Sequence, residues 1–288
     1  MNSTLSDKNL KKLPRPIRKE PLITPKIMHF GPGAFFRSFV ASLINDVNQK
    51  DVKKWGIIAV SLHSDNTFNK LAGQDLVFTA LSMSNTKKRA EKISSISDFI
   101  IAKKDGQSIL DALSNEKIEI VSLTITEKGY YYNSGKKELD FGNQNIIDDL
   151  ENPEKPKTAV GFLVAGLRSR YLSGKAPFTI LSCDNLPNNG AIVKKIVLDF
   201  AQKTDLNLAN WISKEVCFPS CMVDRITPAT KDQDIISFAE EYNVYDPALV
   251  VHEEFFQWVI EDKFSSAKPK FELAGIQMVS NVGLHEKM

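Results

Sequence analysis

The chain has 288 residues, and its 37 Lys and Arg against 35 Asp and Glu leave a formal charge of only +2, too small a surplus to make a nucleic-acid backbone or an anionic membrane its main partner. At 42% hydrophobic and 25% charged it has the composition of a globular protein of one large or two ordinary domains, long enough to bury a substantial core. Cys183, Cys217 and Cys221 are too sparse for a disulfide framework, and no apolar run reaches the roughly 20 residues of a membrane span, so a cytoplasmic setting and a small-molecule partner are expected.

Residues 1–25 read as a flexible basic segment. Lys8, Lys11, Lys12, Arg15, Arg18 and Lys19 supply the charge, while Pro14, Pro16 and Pro21 oppose the long amphipathic helix of an organelle address. Residues 26–288 are expected to form one domain. Its short apolar runs alternate with helical stretches, the βα pattern of an α/β protein with a doubly wound, mostly parallel sheet. The first run, Lys26 to Phe30, enters Gly31-Pro32-Gly33 and then a helix over Phe35 to Val47. A second strand spans Gly56 to Leu62, with a helix opening at Asp65 or Asn66.

Val77 to Met83 and Glu91 to Ser97 predict a small inserted hairpin with its turn at Ser84 to Lys88. After a helix over Gln107 to Leu113, the strand Glu119 to Thr126 delivers Glu127-Lys128-Gly129-Tyr130 at its C-terminal end, where open α/β sheets bind ligands. Residues 134–158 read as a surface excursion. A helix over Val160 to Leu172, a strand over Phe178 to Cys183 and a helix over Ile192 to Lys203 follow. Trp211, Phe218 and Met222 bracket an extended segment ending at Asp224-Arg225; residues 232–243 are helical, Ala248 to Ile260 is mostly apolar, and Phe271 to Val279 reads as a late strand.

Gly31-x-Gly33, between a strand and a helix, is the context of a pyrophosphate cradle, because backbone N–H groups and the positive helix end attract an anion. A third glycine is absent and Pro32 removes one donor, so a plain tight turn is an equal reading from these residues alone. Asp65 lies where an acid binds the ribose hydroxyls of NAD, and it equally suits a helix N-cap. An NADP preference calls for a cation there, and His63 and Ser64 offer only a titratable one. His29, His63, His252 and His285 do not pair with cysteines at metal-ligand spacing, and no metal site is expected. Cys183 closes an apolar strand with no basic neighbour in sequence, which suits an inert buried thiol.

Longer strings carry more information. Ser122-Leu123-Thr124-Ile125-Thr126-Glu127-Lys128-Gly129-Tyr130, Pro177-Phe178-Thr179-Ile180-Leu181-Ser182-Cys183-Asp184-Asn185, Met222-Val223-Asp224-Arg225-Ile226-Thr227-Pro228 and Gln257-Trp258-Val259-Ile260-Glu261-Asp262 together resemble the mannitol dehydrogenase family of polyol-specific long-chain dehydrogenases, from about Lys26 to Met288. The resemblance implies a Rossmann-type domain, a mostly helical C-terminal domain that this chain is expected to lack, and metal-free hydride transfer between NAD(H) and a polyol or ketose such as mannitol or fructose. It places Gly31, Gly33, Ala34, Phe35, Arg37 and Asp65 at the cofactor. Asn185 matches half of an oxyanion site, Asp224 an acid that contacts substrate hydroxyls, and Glu127 and Glu286 acids near the proton path.

The family's base is a lysine in a Lys-x-x-x-x-Asn-x-x-His segment that follows a Tyr-Glu-x-Met-like string. Here that string reads Leu284-His285-Glu286-Lys287-Met288, so the lysine would be the next residue, and Lys287 stands at a spacer position. The expectation is a dinucleotide-binding half whose own turnover is absent, with association through the face that the second domain would cover. Three departures stand out. Phe36 and Phe39 replace the two histidines of the family's Gly-x-Gly-x-Phe-His-Arg-x-His loop, Ser220-Cys221 replaces Asn-Ser, and Glu254 replaces the Pro that is usual before Phe255.

Overall fold

The computed structural model describes residues 7–84 and 87–285. Its strands in chain order are β1 (Pro25–Phe30), β2 (Gly56–Ser61), β3 (Phe78–Met83), β4 (Lys88–Ile93), β5 (Ile96–Ile101), β6 (Ile120–Leu123), β7 (Tyr132–Asn133), β8 (Glu138–Leu139), β9 (Thr179–Ser182), β10 (Cys221–Asp224), β11 (Val250–Glu253), β12 (Gln257–Glu261) and β13 (Gln277–Val279). Five of them form the central sheet in the order β5-β2-β1-β6-β9, every pair parallel. The chain winds outward from β1 in both directions, so the order reverses between β1 and β6, the point where a Rossmann-like sheet opens a crevice at its carboxyl edge.

Alternation along β1 and β2 explains why both sheet faces are covered. Met28, Phe30, Ile58 and Val60 point into one apolar core, beneath the helices Gly106–Ser114, Ala159–Leu172 and Asn189–Thr204. Ile27, Ile57 and Ala59 point into the other, which Phe39, Leu43, Val47 and Trp258 fill. Strands apolar on both faces are what a parallel sheet requires. Residues 34–50 form one helical run interrupted by a π-turn at Arg37–Ala41. The carbonyls loosened there find other donors: Ser42 Oγ bonds Arg37 O at 2.8 Å, and the Arg225 guanidinium bonds Ser38 O.

The inserted hairpin exists, but its second arm differs from the expected Glu91 to Ser97. β4 ends at Ile93 after pairing with β3, and Ile96 and Ser97 already belong to β5 at the edge of the central sheet. Two apolar runs joined by Ser94-Ser95 look like one in sequence. β11 adds to β3 in parallel, making the hairpin a three-stranded sheet, and β10, β12 and β13 form another. Trp211 lies in the helix Leu206–Glu215 rather than in an extended segment, and Phe271–Ala274 is a 3-10 turn that Gly275, at φ +81°, releases into β13.

The basic segment is anchored where it is described. Leu10 is buried, Tyr245 N donates to Pro14 O at 2.9 Å, and the Arg18 guanidinium donates to Ser94 O at 2.6 Å and Ile96 O at 2.5 Å. These bonds fasten residues 10–18 to the junction between the hairpin and β5.

Candidate functional site

One groove crosses the carboxyl edge of the sheet. Its larger end, about 980 Å³, runs from Ser61–Ser64 after β2, past Gly31 and Gly33, to Thr124–Gly129 after β6. A second compartment of about 450 Å³ shares Gly31, Gly33, Thr124 and Thr126 with it and adds Phe35, Phe36, Asn185 and Asp224. A third, about 520 Å³, continues from Asn185 and Asp224 over Pro187 and Met222.

The glycine loop can be built only with glycine at its first position. Gly31 sits at φ +94°, its N–H donates to Val60 O at 3.0 Å, and a Cβ there would lie 2.1 Å from Thr124 O. Gly33 is sterically open, and its N–H is used on Gly31 O at 2.7 Å. The free first-turn amides therefore begin at Ala34 and Phe35, because helical N–H groups find carbonyls only from the fourth residue onward. Arg37 N closes that turn on Gly33 O at 3.2 Å.

Beneath the loop lies a buried polar relay. His29 on β1 contacts Ser122 Oγ through Nδ1 and Thr124 Oγ1 through Nε2, each at 2.8 Å, and Thr124 Oγ1 donates to Gly31 O at 2.7 Å. Since the Thr124 hydroxyl proton is committed to Gly31, Oγ1 accepts from Nε2–H, and Nδ1 accepts from Ser122. Complete burial holds the imidazole neutral, with its pKa pushed down to about 3. Phe36 stacks on this ring with centroids 3.9 Å apart. The phenylalanine at the first altered loop position thus packs against a histidine from the adjacent strand.

Asp184 fixes the corner between the two main compartments. Its carboxylate accepts from Ile125 N and Thr126 N at 3.0 Å each and from Tyr130 Oη at 2.6 Å, and Tyr130 Oη also bonds Ser182 Oγ at 2.7 Å. Burial raises the Asp184 pKa against these stabilising donors. The bonds hold Thr126 at φ +63°, a left-handed geometry unfavourable for a β-branched residue. Next to it, buried Asn189 joins β9 to β10: Nδ2 donates to Asp184 O at 3.1 Å and Cys221 O at 2.7 Å, and Oδ1 accepts from Cys221 N at 3.0 Å. That staple brings Asn185 and Asp224 to one wall, both exposed to the groove.

The structure therefore brings together Gly31, Gly33, Ala34, Phe35, Asn185 and Asp224. Glu127 lines the larger compartment only. Arg37 does not join the groove: its guanidinium is buried, bonds Ala248 O and lies 5.6 Å from the Phe78 ring centroid. Asp65 stands at the N-cap of its helix, where its carbonyl accepts from Asn69 N at 2.8 Å, but its side chain makes no capping bond: it turns to Lys104, 3.0 Å away, and does not line the groove. Glu286 lies outside the described residues. Asp224 does not pair with Arg225, which bonds Ser38 O and Phe255 O and packs over Phe256 with its pKa lowered to about 10 by burial. The supporting residues His29, Asp184, Asn189 and Lys104 were missed by sequence reasoning. Only His29 carries a local signal, a polar residue within the buried, otherwise apolar run 27–30 of its strand.

Comparison with known proteins agrees with this geometry. The family model described as the mannitol dehydrogenase Rossmann domain matches residues 25–273. The chain is 39% identical over 280 residues to mannitol 2-dehydrogenase of Aspergillus clavatus, covering 96% of this chain and 56% of the relative. It is 40% identical over 265 residues to an uncharacterised oxidoreductase of Escherichia coli K12, covering 91% and 54%. Among solved structures, the Pseudomonas fluorescens mannitol 2-dehydrogenase ternary complex with NAD and D-mannitol superposes with a TM-score of 0.90 at 37% identity, covering 98% of this chain and 59% of that one. A D-sorbitol dehydrogenase in substrate-free form gives 0.88 at 36%, covering 95% and 58%. The chain spans about half the length of the relatives it matches. With the sheet order, the glycine loop and 249 matched residues in agreement, the chain belongs to the mannitol dehydrogenase family.

Proposed function

We propose that this chain is the NAD(H)-binding half of an oxidoreductase that interconverts a polyol such as D-mannitol and a ketose such as D-fructose. The observation that carries the reading is the continuity of the groove, which runs from the glycine loop to Asn185 and Asp224 without leaving the carboxyl edge of the sheet. The residues fit a dinucleotide. The space that a Cβ at Gly31 would fill stays open, and the free amides of the Ala34–Phe35 turn suit a pyrophosphate. The similarity to the NAD complex of the Pseudomonas enzyme supports the same cofactor.

When bound, the nicotinamide supplies the hydride donor or acceptor. The chain's own residues then divide the remaining work. The Asn185 side-chain amide donates to the oxygen that gains negative charge as a carbinol is oxidised, and the Asp224 carboxylate accepts from neighbouring substrate hydroxyls. Glu127, at the solvent side of the larger compartment, is the acid placed to exchange protons with water. Among the described residues, no lysine or histidine lines the compartment that holds Asn185 and Asp224. That observation favours a second reading for the chain by itself, an NAD(H)-binding protein without turnover.

Titration of the purified chain with NADH by calorimetry tests both readings. Saturable binding is expected in the native chain and loss of binding in Gly31→Val, whose side chain collides with Thr124 O. Absence of binding in the native chain would refute the dinucleotide site. D-Mannitol oxidation by the chain alone is expected to be undetectable; turnover within the ordinary enzyme range of about 1–10³ s⁻¹ would show that a residue of this chain serves as base.

A further inference from the structure

A dinucleotide site distinguishes NAD from NADP at the end of the second strand, where an unpaired acid bonds the ribose 2′-hydroxyl and repels a 2′-phosphate. Here the acid in that position is already engaged. Asp65 Oδ2 lies 3.0 Å from Lys104 Nζ, a charge-assisted hydrogen bond. Lys104 comes from just beyond β5, the strand beside β2 in the sheet, so the pairing is a consequence of topology and not of local sequence. The residues that line the groove at this end are Ser61, Leu62, His63, Ser64 and Thr67, with no free carboxylate among them.

Their chemistry suits a phosphate. Ser64 Oγ accepts from Asn66 N at 3.1 Å, which leaves its O–H to donate outward. Thr67 adds a second hydroxyl and His63 an exposed imidazole. Lys104 is itself well exposed, so its ammonium retains donors beyond the one aimed at Asp65. The pair as a whole is electrically neutral, and the repulsion that excludes a 2′-phosphate from an acid-lined site is absent.

We propose that this site accepts NADP(H) alongside NAD(H), and that Lys104 is the residue that determines this by neutralising Asp65. The inference rests on the dinucleotide reading above. Its test is the dissociation constants of NADH and NADPH for the full chain, measured by calorimetry at low ionic strength, where surface charge is least screened. The NADPH constant is expected to lie within tenfold of the NADH constant; a larger penalty for NADPH, with NADH bound, overturns the proposal and leaves the dinucleotide reading intact. Failure of both to bind refutes that reading as well. Lys104→Met, which frees the Asp65 carboxylate, is expected to weaken NADPH at least tenfold while NADH changes less than twofold. Equal weakening of both, or no change in either, assigns Lys104 no part in selection and overturns its role. Asp65→Asn provides the opposite arm: NADPH is expected to bind more tightly in this variant than in the native chain, and weaker NADPH binding would count against the proposal.

Discussion

His29 is a buried imidazole whose two nitrogens are both occupied by hydroxyls, and it carries the loop carbonyl of Gly31 through Thr124. Its folded pKa of about 3 lies below the ordinary 6.5, so between those values the unfolded chain binds a proton that the folded chain refuses. Stability therefore falls as pH drops from 6.5 toward 3, by up to about 1.4 kcal/mol per pH unit from this group. In His29→Gln the contribution is removed. Urea unfolding at pH 6.5, 5.5 and 4.5 is expected to show the native chain losing stability more steeply than the variant, by about that amount per unit. Parallel pH profiles would mean that the imidazole is not held neutral by burial.

At the scale of elements, the corner between β6 and the helix Thr126–Gly129 shapes both compartments, and its geometry depends on Asp184 from the end of β9. Asp184→Asn leaves one carbonyl oxygen where a carboxylate received three donors, and the loss of hydrogen bonds to a charged group is expected to cost about 2–3 kcal/mol. Tyr130→Phe removes a single donor and is expected to cost about 1–2 kcal/mol. Since Thr124 and Thr126 line the nucleotide end, NADH affinity is expected to fall in Asp184→Asn; unchanged affinity and an unfolding midpoint equal to that of the native chain would deny the corner its positioning role. This corner also shows where sequence reading stops. Gly31, Gly33, Asn185 and Asp224 were legible because each belongs to a string whose local order reflects its chemistry. Asp184 reaches Ile125 across 59 positions, Asn189 reaches Cys221 across 32, and Lys104 reaches Asp65 across 39, so no local pattern encodes their partners. The same holds for strands. The five of the central sheet are mostly short apolar runs with clear ends, whereas β11 and β12 fall within one apolar stretch and only their separate pairings, with β3 and β10, divide it.

Across the whole molecule, the charge is nearly balanced, and none of the helices among the described residues is long and apolar enough to cross a membrane. What distinguishes one surface is apolar exposure beside the groove. Ile226 is 64% and Phe255 56% exposed, directly after Arg225 and directly before Phe256 in the chain. They are neighbours in space: Arg225 Nε donates to Phe255 O at 3.3 Å, and Glu253 N donates to Ile226 O at 3.1 Å. Exposed apolar residues are ordinary on a surface, and this pair gives the rim of the groove an apolar edge without a role in the core. The double change Ile226→Lys and Phe255→Lys is therefore expected to leave the helical circular dichroism and the urea midpoint within error of the native chain. Because both side chains are exposed and the bonds at these two residues use their backbone carbonyls, the NADH affinity is expected to stay intact as well. A lowered midpoint or weaker NADH binding in the doubly substituted chain would show that these two side chains support the fold or the groove after all.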